Sequence, residues 1–77
     1  MIQVNIANNT ERFNKIYDEN TTTVRAAFED CGIDYSVGIS SIDGTMLKAG
    51  DMDKTFAELG VSETCKLRNV MKMDNAA

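Results

Sequence analysis

Residues 21–33, TTTVRAAFEDCGI, decide how the rest of the chain is interpreted, because their apolar residues have helical spacing. Val24, Ala27, Phe28 and Cys31 fall on one face of a helix with 3.6 residues per turn. The preceding threonines are candidate N-caps, and Gly32 suits the left-handed conformation that ends many helices. The stretch therefore predicts one amphipathic helix of about ten residues.

Two extended segments precede this helix. Ile2, Val4 and Ile6 alternate with polar or small residues, which is the period-two pattern of a half-buried strand. Asparagine and threonine at positions 8–10 supply turn residues. The second segment, 12–18, has apolar residues on mixed faces, and this spacing is compatible with a bulge. We expect the two segments to form an N-terminal hairpin.

A second hairpin is predicted after the helix. Tyr35, Val37 and Ile39 alternate along one segment, and the Asp-Gly pair at 43–44 is a turn signal that leads into a short strand at 46–48. Glycine and aspartate at positions 50 and 51 are expected to end that strand.

A helical turn and a final strand complete the chain. Residues 53–59 have the spacing of a one-turn helix, with Phe56 facing inward. Residues 65–73 then alternate, so that Leu67 and Met71 are expected to point into the core and Val70 away from it.

The order of these elements predicts an α+β fold. It is strand, strand, helix, two short strands, short helix and strand, or ββαββ(short helix)β, with a mixed sheet of four or five strands packed on one helix. This is the β-grasp arrangement. We expect residues 1–74 to form a single domain and residues 75–77 to be a frayed C-terminus.

Two stretches of the chain resemble the ubiquitin-like superfamily. They are residues 21–33 and residues 46–72, MLKAGDMDKTFAELGVSETCKLRNVMK. The resemblance implies a ubiquitin-like domain without the C-terminal Gly-Gly that the family's conjugated modifiers and sulfur carriers need, because this sequence finishes in Ala76 and Ala77. Asn69 also stands where the family usually has a core aliphatic, which indicates either a shifted register or a hydrogen-bonded polar side chain.

The charge and composition of the chain disfavour several classes of function. The chain has a formal charge of −4, but Lys66, Arg68 and Lys72 against Asp74 give residues 66–77 a charge of +2, so residues 1–65 carry −6. An acidic body disfavours direct nucleic-acid binding, which needs clustered cations. No apolar run reaches the length that spans a membrane, and the N-terminus has no signal-peptide pattern. We therefore expect no membrane association and a cytoplasmic location.

The residues that would support catalysis or metal binding are scarce. The chain has no histidine for general base catalysis near neutral pH, and its two cysteines are too few for a closed zinc site. Cys31 and Cys65 are expected to be buried thiols. Asp43, Asp51 and Asp53 lack the spacing of a calcium loop. We expect no enzyme activity, no catalytic residue, no cofactor and no bound metal.

The candidate site is the outer face of the last strands. Val70 is expected to point outward with Leu47 close by, and cationic side chains surround this aliphatic pair. Such a surface is similar to the patch by which ubiquitin-like domains bind proteins. Apolar residues bordered by charge are also a usual interaction surface. The expected site residues are Leu47, Lys48, Lys66, Arg68, Val70 and Lys72.

The leading functional hypothesis is a non-enzymatic protein-binding module or adaptor of bacterial or mobile-element origin, whose partner is another protein. One alternative is a small acidic inhibitor, of phage or plasmid type, that presents carboxylates to a nucleic-acid-binding protein. Its face would comprise Asp18, Glu19, Glu29, Asp30 and Asp34. A further alternative is a ubiquitin-like modifier or sulfur carrier, which the missing glycines disfavour.

Overall fold

The structure, a computed structural model, describes residues 1–71. Its elements follow the predicted order of strands and helices. They are β1 (Ile2–Ala7), β2 (Arg12–Tyr17), α1 (Val24–Asp30), β3 (Ile39–Ile42), β4 (Thr45–Met46), a 3-10 helix (Ala49–Asp53) and β5 (Thr64–Val70).

The five strands form one mixed sheet in the order β2-β1-β5-β3-β4. β1 and β5 run parallel at its centre, and the other neighbouring pairs are antiparallel. Helix α1 packs on one face of this sheet and contributes Val24, Ala27 and Phe28 to the core. The predicted α+β class, with one helix on a mixed sheet, is confirmed.

The N-terminal hairpin has a regular register without the bulge that the sequence suggested. β1 and β2 pair without interruption from Ile2 opposite Tyr17 to Ala7 opposite Arg12. The mixed spacing in β2 has a simpler cause, because Tyr17 faces the core while its neighbour Ile16 is 69% exposed on the opposite face.

The helix has the caps that its sequence predicts, but with seven residues it is shorter than the predicted length of about ten. Thr23 is the N-cap, and its Oγ accepts a hydrogen bond from the Ala26 N–H at 3.1 Å. Gly32 follows the last turn with φ of 70°. The face formed by Val24, Ala27 and Phe28 is buried.

The segment before β3 is not the predicted strand. Asp34 accepts the Ser36 N–H at 3.0 Å in a local turn, and Gly38 has φ of 74°, which is outside the strand region. Pairing therefore begins only at Ile39. The Asp-Gly turn at 43–44 is present, with positive φ at both residues, and β4 occupies Thr45–Met46 instead of 46–48.

The predicted one-turn helix at 53–59 forms as hydrogen-bonded turns over residues 56–60, in which the Leu59 N–H donates to the Thr55 carbonyl at 3.2 Å. A separate 3-10 helix, which was not predicted, forms before it at Ala49–Asp53. Phe56 is fully buried, as predicted, and its ring stacks on Tyr17 with centroids 6.4 Å apart. Gly60 then reverses the chain with φ of 84° before β5.

The last strand buries Cys65, Leu67 and Asn69 and ends at Val70. The prediction that Met71 points into the core is wrong, because it lies beyond the paired residues and is 50% exposed. The sequence left two explanations for Asn69, a shifted register or a hydrogen-bonded side chain, and the structure shows the second. Its Nδ2 donates to the Val37 carbonyl at 3.0 Å and to Ser40 Oγ at 3.1 Å.

Candidate protein-binding face

The outer face of the sheet, which is the side opposite α1, carries every second residue of each strand. On β5 these residues are Thr64, Lys66, Arg68 and Val70, because Cys65, Leu67 and Asn69 point into the core. The alternation therefore puts three of the predicted site residues on one side of one strand. Lys72, the fourth predicted residue of this strand, lies outside the described residues.

Val70 belongs to an apolar patch that spans three strands. Ile39 of β3 is its direct partner across the sheet, and Met46 of β4 is the partner of Ser41, two residues along β3. Diagonal neighbours of this kind lie within reach of long side chains. Val70 is 43% exposed, Ile39 39% and Met46 66%. We call Ile39, Met46 and Val70 the outer patch.

Arg68 is held flat beside the outer patch. Its Nη1 donates to the Asn5 carbonyl oxygen at 2.9 Å and to the Leu67 carbonyl oxygen at 3.2 Å, so the guanidinium lies over β1 and β5. The side chain is half-buried, and these two hydrogen bonds restrict its conformations. Further burial of this group would therefore cost less side-chain entropy than burial of an unrestrained arginine.

The outer face is cationic over its described residues. Arg12 on β2 adds a third positive charge to those of Lys66 and Arg68, and none of the five strands contains an aspartate or glutamate. The carboxylates of residues 1–71 lie instead on the two helices, in turns and in loops. Within residues 1–71, the acidic chain thus has one sheet face that carries no strand carboxylate.

Leu47 and Lys48 sit at the edge of this face. Leu47 follows β4 and is half-buried against the core, with its N–H donating to the Ser40 carbonyl at 2.8 Å. Together with Lys48 it lines a shallow groove of about 250 Å³ that Ile39 and Met46 also border. The structure therefore brings these two predicted residues next to the outer patch, but on its margin.

Sequence reasoning missed Ile39 and Met46. The signal for Met46 was available, because the two-residue turn at 43–44 fixes Ile42 opposite Thr45 and Ser41 opposite Met46. Since Ser41 is paired with Arg68, Met46 shares its face. Ile39 follows by counting along β3 from Ser41.

The thiols are poor candidates for chemistry. Cys65 is buried and Cys31 half-buried, and both are free. Burial, aided by the nearby carboxylate of Asp43, raises the pKa of the Cys65 thiol to about 11, so it is protonated at neutral pH. Within residues 1–71, no group of three or more histidine, cysteine, aspartate or glutamate side chains is placed to hold a metal ion.

Two further findings bear on the site. Over the described part of the chain, no helix has the length and apolar character needed to cross a membrane. Comparison of the sequence and structure with protein-family models, curated proteins and solved structures finds no match. The case for function therefore depends on the geometry described above.

Proposed function

We propose that this protein is a non-enzymatic, ubiquitin-like (β-grasp) binding module, located in the cytoplasm, that docks another protein on its outer patch. The observation that carries the proposal is the patch itself. Three exposed apolar side chains lie on three neighbouring strands of a face that has three cations and, over residues 1–71, no strand carboxylate.

The β-grasp assignment is supported by topology as well as by resemblance. Two hairpins flank a single helix, and the last strand returns to pair in parallel with the first. The stretch at 21–33 supplies the capped helix, and the described part of the stretch at 46–72 supplies β5, the strand that pairs with both β1 and β3. Fold alone does not specify function, so the case for binding depends on the outer patch.

The chemistry of the face defines the partner. An apolar patch with cations beside it favours a partner surface that has an exposed aliphatic or aromatic group next to carboxylates. Burying the apolar side chains supplies affinity, whereas Lys66, on the same strand as Val70, contributes to orientation and association rate. Arg68, which is restrained by its hydrogen bond to Asn5 and lies next to Val70 on the outer face, is the cation best placed for a close contact.

A matched set of threonine substitutions tests the proposal. Met46→Thr with Val70→Thr removes apolar surface from the outer patch while retaining side chains suited to strands. Ile16→Thr makes the same kind of change on the same face, but on β2 at the opposite edge of the sheet. The wild-type chain is used to isolate a partner, and the partner is then purified and titrated against each variant.

We expect the double variant to weaken binding by tenfold or more, since about 1.4 kcal/mol corresponds to a factor of ten. Ile16→Thr should change the Kd by less than about twofold. Equal losses in the two variants, or undiminished binding by the double variant, would contradict the proposal. Circular dichroism of each variant establishes that the fold is retained.

The second candidate function is a small acidic inhibitor of a nucleic-acid-binding protein. It is favoured because positive and negative charges lie on different sides of the molecule. The carboxylates on and around α1 form the negative side of the molecule, although several have local partners. Glu19 pairs with the N-terminal ammonium at 2.9 Å, and Asp30 accepts the Tyr17 hydroxyl at 2.8 Å. Changing Asp18, Glu29 and Asp34 to their amides should abolish inhibition of a nucleic-acid-binding target, while the Met46 and Val70 double variant should leave it intact.

The modifier or sulfur-carrier alternative depends on a C-terminus that lies outside the described residues. Intact mass measured on protein from its native cells distinguishes it. A thiocarboxylate, an isopeptide-linked species or a trimmed tail would support covalent transfer, and an unmodified chain would support binding alone.

A further inference from the structure

A second concave surface lies between the β3–β4 turn and the segment that enters β5. It is a groove of about 450 Å³, within the usual size range of ligand-binding clefts. Leu47, Leu59 and Val61 are half-buried lining residues that also pack against the hydrophobic core. We call this surface the loop groove. It shares only Met46 with the outer patch.

The rim of the loop groove is acidic. Asp43, Asp51 and Glu63 line it, and no lysine or arginine does so among the described residues. Asp51 is largely compensated, since Oδ2 accepts the Lys48 N–H at 3.0 Å and Lys54 Nζ lies 3.3 Å from Oδ1. The backbone N–H of Lys48, followed by Lys54, lowers the pKa of this carboxyl, so it stays ionised at neutral pH.

The other two carboxylates have no cationic partner among residues 1–71. Asp43 Oδ1 accepts the Lys66 N–H at 2.9 Å, which fixes the carboxylate at the turn and leaves its charge uncompensated. Glu63 is anchored through its backbone, whose carbonyl accepts the Gln3 N–H at 3.0 Å. An aliphatic surface is thus bordered by two negative charges, of which that of Asp43 is held in place by a hydrogen bond.

This combination selects one class of occupant. An anion would be repelled, and a purely apolar ligand would desolvate the carboxylates without compensation. A metal ion is disfavoured because the described carboxylates do not form a group of three that could hold one. We propose that the loop groove docks a basic amphipathic segment of a partner protein, with one aliphatic side chain against Leu59 and Val61 and flanking cations near Asp43 and Glu63.

The probe is a set of short blocked peptides titrated into the 15N-labelled full chain. One contains Arg-Leu-Arg, a second Arg-Ser-Arg and a third Glu-Leu-Glu, each between glycines. We expect the first peptide to shift the amide signals of residues 43–47 and 61–64, and the other two to bind at least several-fold more weakly. Spermidine is included as a cation that lacks a peptide backbone and an aliphatic branch.

Charge-neutralising variants locate the contact. Asp43→Asn with Glu63→Gln should weaken the Arg-Leu-Arg peptide about three- to tenfold, since each change removes one exposed ion pair with the peptide. Asn at position 43 retains the acceptor for Lys66 and tolerates the positive φ of 50°. Glu11→Gln with Asp34→Asn removes the same amount of charge elsewhere and should leave binding within about twofold.

A third variant tests the apolar requirement. Val61→Thr keeps the side-chain shape and removes apolar surface, so it should weaken the Arg-Leu-Arg peptide but not the Arg-Ser-Arg peptide. The proposal is overturned if the two peptides bind alike, if spermidine competes as well as the peptide, or if the shifts map to α1. It is also overturned if no shifts occur. The outer patch variant Val70→Thr should leave this binding unchanged, so the two sites fail or succeed independently.

Discussion

Gly38 should be the glycine at which alanine is least tolerated, because the backbone there approaches β5 very closely. A Cβ built on this residue would lie 2.6 Å from the Val70 carbonyl oxygen and 3.0 Å from its carbonyl carbon. The residue also has φ of 74°, which favours glycine. Gly38→Ala therefore introduces a backbone strain and a clash with an atom of the strand that carries the outer patch.

Gly32→Ala separates the two effects. Gly32 has nearly the same φ, 70°, but a Cβ added to it would have no other atom within 4 Å. The left-handed conformation alone costs an alanine about 1 kcal/mol or slightly more, and forcing atoms into a filled space costs about 1–3 kcal/mol further. We expect Gly38→Ala to lower the free energy of unfolding by about 3 kcal/mol, and Gly32→Ala by about 1 kcal/mol.

Urea denaturation of both variants, followed by circular dichroism, measures the difference. A chain of this length has a total stability of roughly 4–12 kcal/mol, so the expected loss is a large fraction of it. Equal destabilisation by the two substitutions would refute the close approach to Val70. Since Gly38 precedes Ile39, the amide signals of Ile39 and Val70 should also shift in Gly38→Ala and not in Gly32→Ala.

Three further predictions concern the elements that hold the fold. Thr23→Ala removes the N-cap and should cost about 1 kcal/mol in chemical denaturation, whereas Thr21→Ala should cost much less. Asn69→Leu leaves Ser40 without its amide donor and should cost about 2 kcal/mol, and adding Ser40→Ala should cost less than the sum of the single changes in a double-mutant cycle. Burial raises the pKa of the Cys65 thiol to about 11, so the protonated thiol contributes its full share of the free energy of unfolding below pH of about 8.5. That contribution is lost as pH rises towards 11. Denaturation at pH 8 and pH 10.5 should therefore show a larger loss for the wild type than for Cys65→Val.

The strands with one buried face were predictable because burial imposes a period of two. Ile2, Val4 and Ile6 are all buried, and so are Cys65 and Leu67, so the pattern in the sequence reflects a physical asymmetry of the sheet. The helix was predictable for the same reason, since its apolar stripe packs on that sheet.

The alternation of apolar residues before β3 has a cause other than a strand. Tyr35 does not join the sheet but stacks on Phe28 with ring centroids 5.9 Å apart, and its hydroxyl donates to Glu29 at 3.1 Å. Val37 is exposed on the turn. Tyr35 therefore contacts the helix and Val37 contacts solvent, although the two residues have the spacing of a strand. Periodicity alone does not distinguish this arrangement from a strand.

The 3-10 helix at Ala49–Asp53 has no periodic signal to detect. It buries a single apolar side chain, Met52, and is held by local bonds between Lys48 and Asp51. A short element of this kind depends on a hydrogen bond between one carboxylate and one backbone N–H. The position of such a bond follows from the surrounding structure, which explains why this helix was not predicted.

The composition of the outer patch depends on register in the same way. A strand shifted by one residue presents every side chain to the opposite face, so Met46 and Leu47 exchange roles according to how the turn at 43–44 closes. With a two-residue turn, Met46 joins Val70 on the outer side, and Leu47, beyond the end of β4, packs towards the core. Leu47 therefore packs against the core and also lines both concave surfaces. Met46 and Ile39 instead supply exposed apolar surface that can be covered without disturbing the fold.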